Sequence, residues 1–166
     1  YGRAKSFSFW LVKFYRENYK IHSKNGILSN HESPLRPSSF VLKRIINFAK
    51  KHQNKTLKLG NINIFRDWGW APEFSDAIYK INNKKIPDDY VVGTGKITSL
   101  KYIIKEIFKL KKIDKKFLKS NIPKSLRPAD IKKIGTNPKK IYKDLNWKSK
   151  INIDQIIKKM ISNELY

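Results

Sequence analysis

Apolar positions along the chain recur with two periods. Phe7, Trp10, Leu11, Phe14 and Tyr15 fall three and four residues apart, the stripe of an amphipathic helix over residues 1–18. IHSKNGILSN (21–30) reads as a short strand, and HESPLRPSS (31–39) as a loop, because two prolines three apart do not fit a helix interior. The periodic run FVLKRIINFAKK predicts the next helix, with Ser38 or Ser39 as its cap. TLKLGN predicts a strand, IFRDWGWAPEFSDAIYKI a tight turn at Gly69 and a helix from about Pro72, and PDDYVVGTGK a further strand. TSLKYIIKEIFKLKK is helical with Thr98 or Ser99 as cap, and 113–130 is irregular or weakly strand-like. NPKKIYKDLNW and NIDQIIKKMISNEL predict two closing helices with asparagine caps. Strands that alternate with helices, followed by a helical C-terminal part, predict an α/β fold.

Composition narrows this picture in two ways. The chain has no cysteine, which removes thiolate chemistry and disulfides, and a reducing cytoplasm is the default expectation. It has no apolar run near the length of a membrane helix, so no membrane partner is expected. The net charge of +24 points towards anions, yet only six of the 37 basic residues are arginine. Lysine, isoleucine and asparagine fill 68 of 166 positions, which is what A/T-rich codon usage produces. The lysines are interleaved with apolar residues at helical or strand spacing, so they are expected on solvated faces. A lysine-rich nucleic-acid-binding module is the competing reading from another class; it requires a contiguous lysine face with exposed aromatics between.

Tyr1 and Lys5 stand one helical turn apart, so both can face one ligand. A phenol near an ammonium is biased towards phenolate and can then act as a base. Lysine is so abundant here that this spacing alone carries little weight. A glycine-rich phosphate loop is absent from the chain.

More specific are the runs NGILSNHESPLRPSSFVLKRI, LGNINIFRDWGWAPEFSDAI, PDDYVVGTG and SLRPADIKKIGTNPKKIYKDLNWKSK. In this order they resemble the GDP-mannose 4,6-dehydratases, members of the extended short-chain dehydrogenase/reductase superfamily. The resemblance runs from Tyr1 almost to the C-terminus, and in that family a Tyr-x-x-x-Lys helix precedes the NHESP loop, as here. It implies the C-terminal portion of a Rossmann-like NAD(P)-binding domain, with elements in 1–30 and about 57–95. It also implies a smaller, mostly helical substrate-binding part in about 31–56 and 96–166. The chain is then expected to be part of a longer enzyme, interrupted at its active site and inactive alone.

The resemblance also implies chemistry and residue roles. Hydride passes from carbon 4 of GDP-mannose to NADP while the tyrosine takes the hydroxyl proton; water leaves carbons 5 and 6, and hydride returns to carbon 6. The product is GDP-4-keto-6-deoxymannose. Tyr1 is implied as the base and Lys5 as its partner and the holder of the nicotinamide ribose. His31 and Arg36 are implied as NADP contacts. Asn30, Val41, Arg44, Arg66, Arg127 and Asp130 are implied as sugar-nucleotide contacts, the arginine forks suiting a diphosphate. The tryptophans of RDWGW are expected to pack. Leu35 stands where a second arginine is usual, Arg44 where lysine is usual, and Asp130 where glutamate is common. A homo-oligomer, dimer or tetramer, is expected of the whole enzyme. Another NAD(P)-dependent nucleotide-sugar dehydratase or epimerase is the nearest alternative.

Overall fold

The structure is a computed structural model that describes residues 1–51, 54–120 and 131–165. Helix α1 spans Gly2–Tyr19 and strand β1 Gly26–Leu28; β2 is Asn30–Glu32 and α2 is Val41–Lys50. Then come β3 (Leu57–Leu59), β4 (Phe65–Trp70), α3 (Ala71–Asn82), β5 (Tyr90–Val92) and β6 (Ile97–Ser99). The remainder is α4 (Leu100–Leu110), a 3-10 turn at Lys115–Phe117, β7 (Leu118–Ser120), α5 (Lys139–Leu145) and α6 (Ile153–Ser162). The α/β class therefore stands. β1 pairs in parallel with β5, and β3 with β7. β4 lies between parallel β2 and antiparallel β6, so that Asn30 is opposite Trp68 and Arg66 opposite Thr98.

Four local expectations are corrected. His31 and Glu32 belong to β2 rather than to a loop, because β4 offers them a parallel edge in register with Gly69 and Trp70. α2 begins without a serine cap: Phe40 holds the cap position, and the Ser38 hydroxyl instead accepts from Asn47 at 3.0 Å. Gly69 lies inside β4 and makes no turn. The ring of Phe74, in the first turn of α3, packs so closely on Gly69 that a Cβ there would collide with it. Two caps follow the sequence: Ser99 Oγ accepts from the Tyr102 amide, and Asn152 and Gln155 form a reciprocal capping box. α5 instead has Pro138 rather than an asparagine at its cap position, and Asn137 Oδ1, one residue earlier, accepts from the Lys139 amide.

Two apolar clusters hold these elements. The larger joins α2, α4 and α6 with β3 and the indoles of Trp68 and Trp70, both buried as the packing expectation required. The smaller joins Phe74, Ala77 and Ile81 of α3 with Tyr90, Val92, Ile141 and Trp147. Glu73 links them. Its carboxylate accepts from Ser149 Oγ and from the amides of Lys150 and Ile151, while its carbonyl accepts from the Trp147 indole. α1 buries none of its residues, and Phe7, Trp10 and Phe14 are exposed. It is anchored at its C-terminal end, where Arg16 makes a two-pronged contact with Asp89 at 2.7 and 2.8 Å.

The contact at Gly69 yields a test. Gly69→Ala forces the Phe74 ring out of its place between two well-packed elements, which should cost about 2 kcal/mol of unfolding free energy. A lower urea midpoint with unchanged m-value checks this; equal midpoints would show that the ring is free to move.

Candidate functional site

Tyr1 and Lys5 start α1. The Lys5 amide donates to the Tyr1 carbonyl at 3.0 Å, and the Lys5 ammonium lies 5.6 Å from the centroid of the Tyr1 ring. Tyr1 is 95% exposed. Both residues line a cleft of about 720 Å3 whose other walls are Phe9, Asn25, β1 and His31. The structure thus brings the expected catalytic pair and the first expected cofactor residue to one surface.

His31 reaches this cleft because β2 is registered on β4. Its Nδ1 is 3.0 Å from the Ser29 carbonyl and its ring lies against Phe74, with centroids 5.5 Å apart. A carbonyl only accepts, so Nδ1 carries a proton in this arrangement. Arg36 folds back on the same segment. Its Nη1 donates to the His31 carbonyl at 2.7 Å, its guanidinium lies 3.8 Å over the Phe40 ring, and its Nε is 3.3 Å from Glu32 Oε2.

Asn30 and Arg66 line a second cleft of about 380 Å3, with Ser29, Asp67 and the segment Ile134–Asn137. Ile27 and Leu28 border both clefts, which meet over β1. Arg66 Nη1 donates to the Phe65 carbonyl at 2.7 Å and to the Lys132 carbonyl at 3.4 Å, so one prong of its guanidinium is held by the backbone. Val41 opens α2 half-buried against the larger core, and Arg44 Nη2 donates to the Lys58 carbonyl at 2.9 Å. Neither borders the two clefts. Arg127 and Asp130 lie outside the described residues.

Two acids that sequence reasoning missed organise this region. Asp67, 2% exposed, accepts from the amides of Thr94 and Gly95 and from the hydroxyls of Thr94 and Thr136. It ties β4 to the β5–β6 turn and to the wall carrying Asn137. Gly93 is required beside it, because a Cβ there would meet both Thr136 and the Asp67 carboxylate. An aspartate inside an apolar strand, next to Arg66, was the available signal. Glu32 is the other. It is 1% exposed, and burial pushes its carboxyl up to about 7 although the Arg36 guanidinium pulls the other way.

These groups generate two predictions. Asp67→Asn turns one carboxylate oxygen into an NH2 donor that faces the backbone N–H of Thr94 or Gly95, which can only donate, and should cost about 3 kcal/mol of stability by denaturant unfolding. For Glu32, the folded state keeps a proton that the unfolded chain has released between about pH 4.5 and 7. Stability therefore falls as pH rises through that window, by up to about 3 kcal/mol. Arg16 holds the Asp89 carboxyl, and Lys84 that of Asp144, below the usual range, so their contributions are lost only in stronger acid. Thermal unfolding should show a higher midpoint at pH 5.5 than at pH 8; a flat profile would contradict the burial of Glu32.

Comparison with known proteins follows the same lines. The family description "GDP-mannose 4,6 dehydratase" matches residues 1–160. GDP-mannose 4,6 dehydratase 2 of Caenorhabditis elegans is 33% identical over 99% of this chain and 48% of its own length. The Dictyostelium discoideum GDP-mannose 4,6 dehydratase is 31% identical over 99% and 52%. The chain thus spans about half the length of the curated relatives it matches. Among solved structures, a UDP-glucose 4-epimerase from Thermotoga maritima with UDP-glucose superposes at TM-score 0.87 and 18% identity, covering 98% of this chain and 52% of the other. A dTDP-glucose 4,6-dehydratase from Streptomyces venezuelae with NAD bound superposes at 0.87 and 13%, covering 98% and 49%. These two share the fold. With a family match over almost every residue, and with the tyrosine–lysine helix, the NHESP strand and the RDWG strand arranged around adjoining clefts, the chain belongs to the GDP-mannose 4,6 dehydratase family.

Proposed function

We propose that this chain supplies the catalytic tyrosine–lysine pair and the sugar-nucleotide face of an NADP-dependent GDP-mannose 4,6-dehydratase. The observation that carries this reading is the meeting of two clefts over β1, one lined by Tyr1, Lys5 and His31 and the other by Asn30 and Arg66. A dehydratase of this kind needs a proton acceptor and a dinucleotide contact on one side of the sugar, and an anion contact on the other.

The first cleft has the size and the donors for the nicotinamide end of a dinucleotide. Lys5 and His31 would hold it; the chain spans about half the length of the relatives it matches. When bound, NADP supplies the acceptor and later the donor of hydride. The chain's own residues handle protons and position. Tyr1 takes the proton from the carbon 4 hydroxyl, and Lys5, whose ammonium lies 5.6 Å from the Tyr1 ring centroid, holds the nicotinamide ribose beside it. Arg66 places its positive charge towards the diphosphate, with Asn30 on the paired strand bonding to the sugar nucleotide. Arg127, Asp130, Val41 and Arg44 belong to that side by family resemblance alone, and Val41 and Arg44 stand on α2 outside the lining of both clefts.

The reading is tested in an enzyme of full family length that carries this chain. Tyr1→Phe keeps the ring and removes the hydroxyl, so GDP-mannose should still bind while turnover to the 4-keto-6-deoxy product falls about 100- to 10,000-fold. Arg66→Ala should weaken GDP-mannose binding by about 10- to 100-fold and leave NADP binding nearly unchanged. If Tyr1→Phe retains near-normal turnover and instead loses affinity for both ligands, the tyrosine packs and the assignment is wrong.

A further inference from the structure

The buried side-chain polar atoms without a hydrogen-bond partner, among the described residues, are Ser29 Oγ, Glu32 Oε2 and Arg36 Nε. All three lie in one stretch of the chain, beside the cleft that holds Tyr1, Lys5 and His31. The other buried acid among the described residues, Asp67, is satisfied by donors from Thr94, Gly95 and Thr136. An imperfectly satisfied cluster confined to one segment is a place where folding alone does not account for the residues chosen.

We propose that Glu32 is a positioning residue: its carboxylate holds the Arg36 guanidinium, and through it the His31 backbone, in the conformation that meets the dinucleotide. The proposal rests on the cofactor reading of the His31–Arg36 segment. The geometry is a closed chain of contacts. Glu32 Oε2 is 3.3 Å from Arg36 Nε, Arg36 Nη1 donates to the carbonyl of His31 at 2.7 Å, and the Phe40 ring covers one face of the guanidinium at 3.8 Å. The Arg36 amide donates to the Ser33 carbonyl at 3.1 Å, which closes the turn between the two partners. With Nη1 bonded to the His31 carbonyl, Nε facing the Glu32 carboxylate as an ion pair without a hydrogen bond, and one face under Phe40, Nη2 is the edge assigned to a ligand phosphate or ribose. Orientation of that edge depends on the carboxylate.

The surroundings make Glu32 an exacting partner. Its strand neighbour across β4 is Trp70, an apolar residue. From α3, His31 meets the Phe74 ring, while the Glu73 carboxylate is committed to Ser149 and the amides of Lys150 and Ile151. From α2, the Lys43 ammonium is held on the Pro34 carbonyl. Arg36 is the charge that acts on Glu32, and it does not fully offset the loss of water. A neutral glutamine would avoid that burial cost above neutral pH; it would also leave the guanidinium without a countercharge. Protonation near pH 7 has the same consequence without any substitution, so the pair works as designed only when Glu32 is ionised.

The first measurement uses this chain with no ligand: carbon NMR of the Glu32 carboxyl and nitrogen NMR of Arg36 Nε–H across pH 5.5 to 8.5. The expected result is one shared midpoint, with the Arg36 signal losing its pH dependence in Glu32→Gln. The second uses an enzyme of full family length and follows NADPH fluorescence. Affinity should fall by about fivefold from pH 8 to pH 6, the ordering cost of one long side chain, and Glu32→Gln should show the weaker value at both pH values. Glu32→Asp keeps the charge on a shorter stem and should retain the pH dependence. GDP-mannose affinity should be unmoved in all of these. An Arg36 signal indifferent to Glu32 titration overturns the proposal, as does an NADPH profile that is unchanged in Glu32→Gln. Loss of NADPH binding at every pH in the unsubstituted enzyme, with the Arg36 coupling intact, overturns the cofactor reading and leaves the positioning of Arg36 standing.

Discussion

The carboxylate of Asp67 is the fixed point from which the candidate site is built. A buried carboxylate needs donors, and here they come from two places distant in sequence: the amides of Thr94 and Gly95 with the Thr94 hydroxyl, and the Thr136 hydroxyl. The donors are drawn from the turn after β5 and the segment before α5, while Asp67 itself belongs to β4. Satisfying one charge therefore sets the relative position of three stretches of chain. Arg66 is its neighbour on the same strand, and Asn137 follows Thr136 along the other wall. The cleft between them is a consequence of the tie, and so is the need for glycine at position 93.

This use of acid is general in the molecule. With 37 basic and 13 acidic residues, the chain has little use for carboxylates as surface solubilisers, and they recur at junctions. Asp89 joins α1 to the start of β1 by accepting from Arg16 and from Asn25. Glu73 caps the approach to α6. Asp144 on α5 meets Lys84 after α3 and the hydroxyl of Tyr90 on β5. Each such bond is charge-assisted and local, so it is little weakened by the repulsion among dispersed lysines. Isolated surface lysine pairs such as Lys13 with Glu17 contribute much less.

Much of the element order was legible because it rests on periodicity: α2, α3, α4 and α6 follow from their apolar stripes, and Ser99 and Asn152 cap where a cap was expected. The misread places share a physical cause. β2 is three residues long, and its existence depends on the β4 edge rather than on any preference within Asn30–Glu32. Gly69 looked like a turn because glycine commonly marks one, whereas here it makes room for a ring five residues later. At the site, Tyr1, Lys5, His31, Asn30 and Arg66 could be named from motif resemblance, since motifs preserve spacing. Asp67 and Glu32 sit inside the same motifs, yet their roles depend on long-range donors and on burial, which local pattern does not display.

The contrast between these acids separates structural work from functional work. Asp89 and Asp144 are held ionised by bonds to Arg16 and to Lys84, and their pairing stabilises the fold at neutral pH. Glu32 is shifted the other way: burial outweighs the pull of Arg36, and an oxygen is left without a hydrogen bond. A group whose charged form is unfavourable where it stands weakens the fold, and selection for stability alone would replace it with an apolar or amide side chain. Such groups persist where their charge performs a task that folding does not require. Glu32 lies one residue from His31 and four from Arg36, on the strand that forms the wall of the tyrosine–lysine cleft. The unfavourable charge thus stands beside the guanidinium for which a dinucleotide contact is proposed.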